Sequence, residues 1–474
     1  MDDPGFVDVA PDGDVVLEVT FDTSKETLKL ARKAAPRLGQ KGLKAEQTGQ
    51  QPPPPVLKAR VKQRYRVQLD VLKQNSRYFN TLLNDTRFSE GRSIEAAFQQ
   101  LSLKGVKPAE ADPNDLPVVN IHEDDEASQS AGQEIVFGDL LRVLHRKPIV
   151  TKPVSMHYLA LIAVLADRFD CTTIVSRWLK VLRYKWPDTK PRASTSKDDG
   201  PALTKASEDT LRQKILVSWL LDDPPRFEAS THYLVIFGSR KWAAVSEEEE
   251  QAEAGKETIP SSAWWHLPEG LEEELLYRRE CILNTVFSIQ RHFISLYSSR
   301  AKIQCQRGYD NSISCDAFQL GEMIRFFSSK GLLFLVDGSP SSLDAIKDFA
   351  TVDINHIIAI YKQCPSYQID KNHTNCGLRT QMAPILRFME ARLLSSAVAI
   401  SRNDWATNRQ SASWSSIKTE KGLECLWRRD QRLEYDGIMG AGSMTRDLFT
   451  ADKWDWTPLS NEGIGRSFGN MRFA

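Results

Sequence analysis

Short alternating apolar runs open the chain, and helical stripes follow them. After a turn signal at Pro11-Asp12-Gly13, the run Asp14-Val15-Val16-Leu17-Glu18-Val19 predicts a strand rich in β-branched residues. Tyr65-Arg66-Val67-Gln68-Leu69 predicts a second. A helix should follow, because Leu72, Ser76, Phe79 and Leu83 recur at helical spacing. Asn75-Ser76 is a polar interruption in it and Asn84-Asp85 its stop. Leu116–His122 alternates like a strand and runs into the acidic turn Glu123-Asp124-Asp125-Glu126. Phe137, Leu140, Leu141 and Leu144 mark a short helix. Met156–Phe169 is apolar on nearly all sides, as a central helix should be. Ile174, Val175, Trp178, Leu179 and Leu182 give one more helix, ended at Trp186-Pro187.

The second half reads as almost purely helical. Leu211, Ile215 and Trp219 share a helix that stops at Asp222-Asp223-Pro224-Pro225. The longest stripe is Leu271, Leu275, Ile282, Val286, Ile289, Phe293 and Leu296. Two more are Ala317, Leu320, Ile324 and Phe327, and Leu386, Met389, Leu393, Ala397 and Ile400. The expected fold class is therefore α+β over residues 13–185, then an all-α domain over 205–402. Two polar insertions, 23–62 and 91–115, interrupt the first domain, and 186–204 reads as a linker. Residues 403–474 read as a weakly ordered polar tail, with Trp405, Trp414, Trp427, Trp454 and Trp456 scattered without period.

Charge changes this picture in one place. Lys plus Arg and Asp plus Glu balance at 62 each, so the whole chain has no field to attract nucleic acid or an acidic membrane. Residues 23–68 nevertheless carry twelve Lys/Arg against Glu26 and Glu46. Such an excess could dock an acidic partner or nucleic acid. With only Tyr65 as an aromatic, at the segment's edge, the reading taken is a solvated insertion. No apolar run reaches the roughly 18 residues of a membrane helix, and Met1-Asp2-Asp3-Pro4 does not open a secretory signal. With 7 cysteines, an odd number, a secreted disulfide framework is not expected; the setting is cytoplasmic or nuclear.

Six pieces of the first domain, in order, resemble the BTB/POZ family. They are Gly13–Leu17; Tyr65–Leu69 with Val71-Leu72; Asn75–Leu83, containing Ser-x-Tyr-Phe; Phe88-Ser89-Glu90; Phe137–Leu144; and Leu165-Ala166-Asp167-Arg168-Phe169. The chain looks most like diverged BTB proteins of filamentous fungi, in which a helical region follows the domain. That resemblance implies an interaction module that self-associates, as a homodimer, or binds a protein partner. It departs from the family in the forty or so residues between its first two strands and in Gln68, where the family usually has His. The φ-x-Glu of cullin-binding members is absent from Met156-His157-Tyr158-Leu159-Ala160, which weakens a ubiquitin-ligase adaptor role.

Cysteine and histidine supply the one candidate chemical site. Cys305, Cys315, Cys364, His373 and Cys376 could hold zinc, since thiolate and imidazole suit that metal and His373-x2-Cys376-Gly377 is a suitable knuckle. The alternative is a set of reduced core cysteines and a surface histidine. A zinc enzyme or regulator remains the reading of a different class. Phosphate-binding loops, nucleophile elbows and His-Glu-x-x-His are all missing, so no catalytic or cofactor-binding residue is assigned. His122–Glu126 reads as a solvated acidic loop, and Arg379, Arg387 and Arg392 as surface charges rather than an anion site.

Overall fold

The alternation expected near residue 15 forms an inner strand of a four-stranded sheet in the computed structural model. The structure describes residues 5–23, 25, 28, 58–84, 87–124, 132–189, 203–242, 266–299, 301–305, 310–332, 350–374, 376–416 and 441–457. Most of the expected insertion 23–62, of the linker 186–204 and of the tail beyond 416, with Trp427, lies outside these residues. The described residues fall into two compact units, one within 1–189, 209–223 and 255–268, the other within 190–208, 224–254 and 269–474. The first mixes helices with the sheet and the second is helical, an α+β organisation.

In the first unit the sheet order is β1 (Gly5–Asp8), β3 (Arg60–Val67), β2 (Val15–Asp22), β4 (Val118–Asp124). β2 runs antiparallel to β3 and parallel to β4. Val15, Leu17, Val19 and Phe21 of β2 point into the core, as period-two alternation requires. Glu18 and Asp22, of the other parity, face basic residues of β3: Arg64 lies 2.7 Å and Lys62 3.6 Å from Glu18, and Arg60 lies 3.0 Å from Asp22. β3 thus begins inside the segment expected to be a solvated insertion, and part of its charge is neutralised across the strand pair. Such cross-strand pairs at the sheet surface fix pairing more than they add stability.

The turn before β2 shows why Gly13-Asp14 stands there. A Cβ on Gly13 would lie 2.7 Å from the Val67 carbonyl and 2.8 Å from that of Ala10, so only glycine fits. Asp14 then accepts the Leu69 N–H at 2.8 Å and caps α1 (Leu69–Asn75). The expected single helix through 72–83 is two, α1 and α2 (Arg77–Asn84), because Ser76 takes an extended conformation. Its hydroxyl donates to Phe169 O at 2.6 Å and accepts the Phe79 N–H, which starts the second helix. Residues 91–115, expected as a polar loop, are mostly helix: α3 (Ser89–Leu103) buries Gly91, Ile94 and Leu101. Leu101 packs with Val16, Ala111 and Leu116 on the second face of the sheet. Glu123 and Asp124, expected in a turn, belong to β4, where Glu123 is buried against Arg168 at 3.2 Å.

Three helices complete the core: α4 (Gln133–Leu144), α5 (Met156–Arg168) and α6 (Thr172–Leu182). Phe79 stacks on Phe169 at 5.4 Å, and Phe137 meets Phe169, Tyr65 and Phe21 edge-on or tilted at 5.3–5.7 Å. Buried Asp139 gathers Val150 N, Thr151 N, the Thr151 hydroxyl and the Tyr158 hydroxyl, pinning the 150–151 backbone between α4 and α5. From α7 (Lys205–Leu220), Leu216 and Val217 join this core, with Leu221 beyond it, so the first unit reclaims 209–223 from the expected helical domain.

His145 gives this unit a pH dependence. Its Nε2 accepts the Gln68 N–H at 3.0 Å, so Nδ1 must carry the proton donated to Leu141 O at 2.7 Å. Burial holds its pKa below the ordinary 6.5. The unfolded chain therefore binds a proton that the folded chain refuses. The stabilisation is complete above about pH 6.5 and is lost as pH falls through the lower folded value. Burial depresses His157 in the same direction, so the informative quantity is a difference. Between pH 7.5 and 5, the urea midpoint of the native chain should fall more than that of His145→Asn. Parallel slopes would contradict the assignment.

In the second unit α8 (Pro224–Phe237), opened by Pro224-Pro225, and the long α9 (Leu271–Ser298) form the centre. Leu271, Leu275, Ile282, Val286, Ile289 and Phe293 are buried as their spacing predicts. Buried Arg279 donates to Val235 O and Ile236 O, capping α8 with a cation, and burial lowers its pKa to about 9. Around these pack α10 (Ser312–Ser329), α11 (Ile354–Lys362) and α12 (Leu378–Leu393). α10 is rotated from the expected stripe. Cys315, Gln319, Met323 and Phe326 face inward with Phe327, while Ile324 is exposed.

The tail 403–474, expected to be weakly ordered, contributes core. α13 (Arg402–Thr407), α14 (Arg409–Ala412) and α15 (Ala441–Phe449) accompany buried Trp405, Trp414 and Trp456. Trp414 stacks on Phe449 at 5.9 Å, and the Trp456 Nε1 donates to Ser288 Oγ at 2.8 Å.

Candidate metal centre

Four of the five expected ligands converge. The ligand atoms of Cys305, Cys315, His373 and Cys376 all lie within 4.8 Å of one another, three of the residues buried and Cys376 half-buried. Cys364 does not join them. It is fully buried beyond α11, with its Sγ 3.8 Å from Pro365 O, and burial pushes its thiol up to about 11. Its closeness to His373 along the chain does not carry over into space.

Local chemistry builds each arm. Asp316, in the first turns of α10, accepts the backbone N–H groups of Gln304 and Cys305 at 2.7 and 2.9 Å. That clasp sets the 301–305 stretch, which follows α9, beside Cys315 on the helix. On the other side, Asp370 Oδ1 accepts the N–H groups of Asn372 and His373 at 2.7 and 3.1 Å, an Asx turn that presents the imidazole. Gly377 follows Cys376 where a Cβ would lie 3.1 Å from the Tyr367 carbonyl, and Gln319 of α10 donates to that same carbonyl at 2.9 Å. The centre thus joins the end of α9, the start of α10 and the start of α12. The inward turn of Cys315 and Gln319 also explains the rotation of α10.

The spacings among Cys305, His373 and Cys376 suit ligands of one tetrahedral ion. Bond lengths of about 2.3 Å to sulfur and 2.0–2.1 Å to nitrogen put tetrahedral ligand atoms about 3.8 Å (S to S) and 3.6 Å (S to N) apart. Cys305 Sγ lies 3.7 Å from Cys376 Sγ and 3.3 Å from His373 Nδ1, and Cys376 Sγ lies 3.9 Å from that nitrogen. His373 Nε2 lies 3.9 Å from Asp370 Oδ2, too far for a hydrogen bond, so Asp370 positions the imidazole through the backbone turn. Burial and the neighbouring thiols push Cys315 up to about 12, so a metal must displace protons to bind and holds less well as pH falls. This cluster could hold a metal ion.

The other candidates do not assemble. Arg379 and Arg387 are exposed, and Arg392 lies over the Phe388 ring at 5.2 Å. His122 pairs with Asp22 at 3.1 Å on the sheet, away from any ligand set found among the described residues. Sequence reading missed Asp316 and Asp370, which no spacing rule marks because they bind backbone rather than metal. No protein-family model, curated protein or solved structure matches the chain.

Proposed function

We propose that the chain is a protein-interaction module of diverged BTB/POZ type, followed by a helical body that a structural zinc ion holds together. The observation supporting the first half is the sheet. The two first BTB-like segments pair antiparallel, the third strand lies parallel to the first, and helices follow in the order that the resemblance implies. Phe79, Phe137 and Phe169, each from a BTB-like piece, meet in one aromatic cluster. No helix among the described residues is long and apolar enough to cross a membrane.

The second half rests on a complete ligand set. Catalytic zinc sites keep an open position for water or substrate, whereas structural sites close it with protein ligands. Three sulfurs and one nitrogen already satisfy four-coordination, and three of the four residues are buried. This favours a structural ion over a zinc enzyme. Light scattering of the full chain over a range of concentrations tests the interaction reading. A dimer that dissociates in the micromolar range supports self-association. A strict monomer that also captures no partner, a cullin included, removes the interaction reading.

A further inference from the structure

We propose that the Cys/His centre is a peroxide-sensitive clamp, in which Cys376 and Cys305 join as a disulfide and the ion is released. This rests on the zinc reading above. The three sulfurs are not equivalent. Cys315 is fully buried within α10, its N–H bonded to Asn311 O at 2.8 Å in the helix's own pattern. Cys305 is buried and lies on the non-helical 301–305 stretch. Cys376 is half-buried, in the turn before α12, and its Sγ makes a solvent-exposed contact with the Thr374 carbonyl at 3.9 Å. A small peroxide therefore reaches Cys376 first, since oxidation follows thiolate character and access.

The resolving thiolate is already in place. Cys305 Sγ lies 3.7 Å from Cys376 Sγ, and an S–S bond needs about 2.05 Å. Both residues sit outside helices, so their backbones can close that gap. Cys315 would have to leave the first turns of α10 to do the same.

The chemistry balances with hydrogen peroxide as oxidant. The Cys376 thiolate attacks one peroxide oxygen and the O–O bond breaks. Sulfur is oxidised to a sulfenic acid and the other oxygen leaves as hydroxide. The Cys305 thiolate then attacks the Cys376 sulfur; the S–S bond forms, the S–O bond breaks and a second hydroxide leaves. Two protons convert the hydroxides to water. Cys315 and His373 remain, too few to hold the ion; α10 loses its tie through Cys315, while the disulfide keeps the stretch after α9 joined to the start of α12.

The test uses the full chain as purified, with its zinc content measured first. Hydrogen peroxide is added near stoichiometry, zinc release is followed with a chromogenic chelator, and free thiols are alkylated for peptide mapping. The expected result is one zinc released per disulfide, the bridge joining Cys305 to Cys376, Cys315 still alkylated, and recovery with a thiol reductant plus zinc. Retained zinc, a bridge containing Cys315, or release with Cys376 converted to sulfinic acid would overturn the clamp. A chain purified without zinc would overturn the underlying reading and the clamp with it, a result distinct from the other three.

Discussion

Stripping the proposed zinc with a strong chelator at neutral pH should destabilise the second unit by about 4 kcal/mol or more, enough to lower its melting point by about 8 °C or more. The ceiling is the roughly 10–16 kcal/mol that zinc contributes in small finger peptides, where it supplies nearly the whole fold. Here Leu275, Ile282, Val286 and Phe293 give α9 a core of its own, so the loss should be a fraction of that. Cys315→Ser should behave like chelation, because it removes a ligand and leaves a hydroxyl in a fully buried position. Cys364→Ser is the discriminating comparison. It buries a similar hydroxyl and should cost about 1–3 kcal/mol, yet leave one equivalent of zinc bound. Metal analysis beside thermal unfolding reads both effects. A chain holding less than about a tenth of an equivalent, and melting identically with and without chelator, would end the structural-zinc reading.

The contrast between Cys364 and Cys315 shows what spacing can carry. The short hook His373-x2-Cys376 was legible, because three residues of chain cannot separate two ligands far. Pairing over longer distances was not, because it depends on Asp316 clasping residues 304–305 and on the face α10 turns inward. The same limit applies elsewhere. Strands and helices with continuous apolar faces, such as β2, α5 and α9, were readable from period alone. β3 was cut short because Arg60, Lys62 and Arg64 read as solvated charge, although their period of two is that of one strand face. α3 was hidden by a helix with few large apolar residues. The tail was misjudged because its tryptophans fill gaps around α9 from separate short segments, and such packing leaves no period to read.

The link between that tail and α9 carries the second large effect. Arg278 of α9 is buried beside Glu274, with Nε to Oε1 at 2.7 Å. Its remaining nitrogens donate to the carbonyls of Ala397, Val398, Ala399 and Ala412, and its guanidinium lies 4.9 Å over the Trp414 ring. Glu274 in turn accepts the Trp414 N–H at 2.9 Å and the Ser413 hydroxyl at 2.6 Å. Arg278→Met keeps most of the side-chain bulk but strands a buried carboxylate and four carbonyls. Breaking such a pair costs about 3–5 kcal/mol. Adding Glu274→Gln removes the stranded charge and should return at least about 1 kcal/mol, although the carbonyls stay unpaired. Urea unfolding followed by tryptophan fluorescence measures both, since buried Trp405, Trp414 and Trp456 report the region directly. If Arg278→Met costs less than about 1 kcal/mol, the guanidinium is not what binds residues 397–414 to α9. If the double variant is no more stable than the single one, the cost lies in the carbonyls and the ring contact, and Glu274 is satisfied by Ser413 and Trp414 alone.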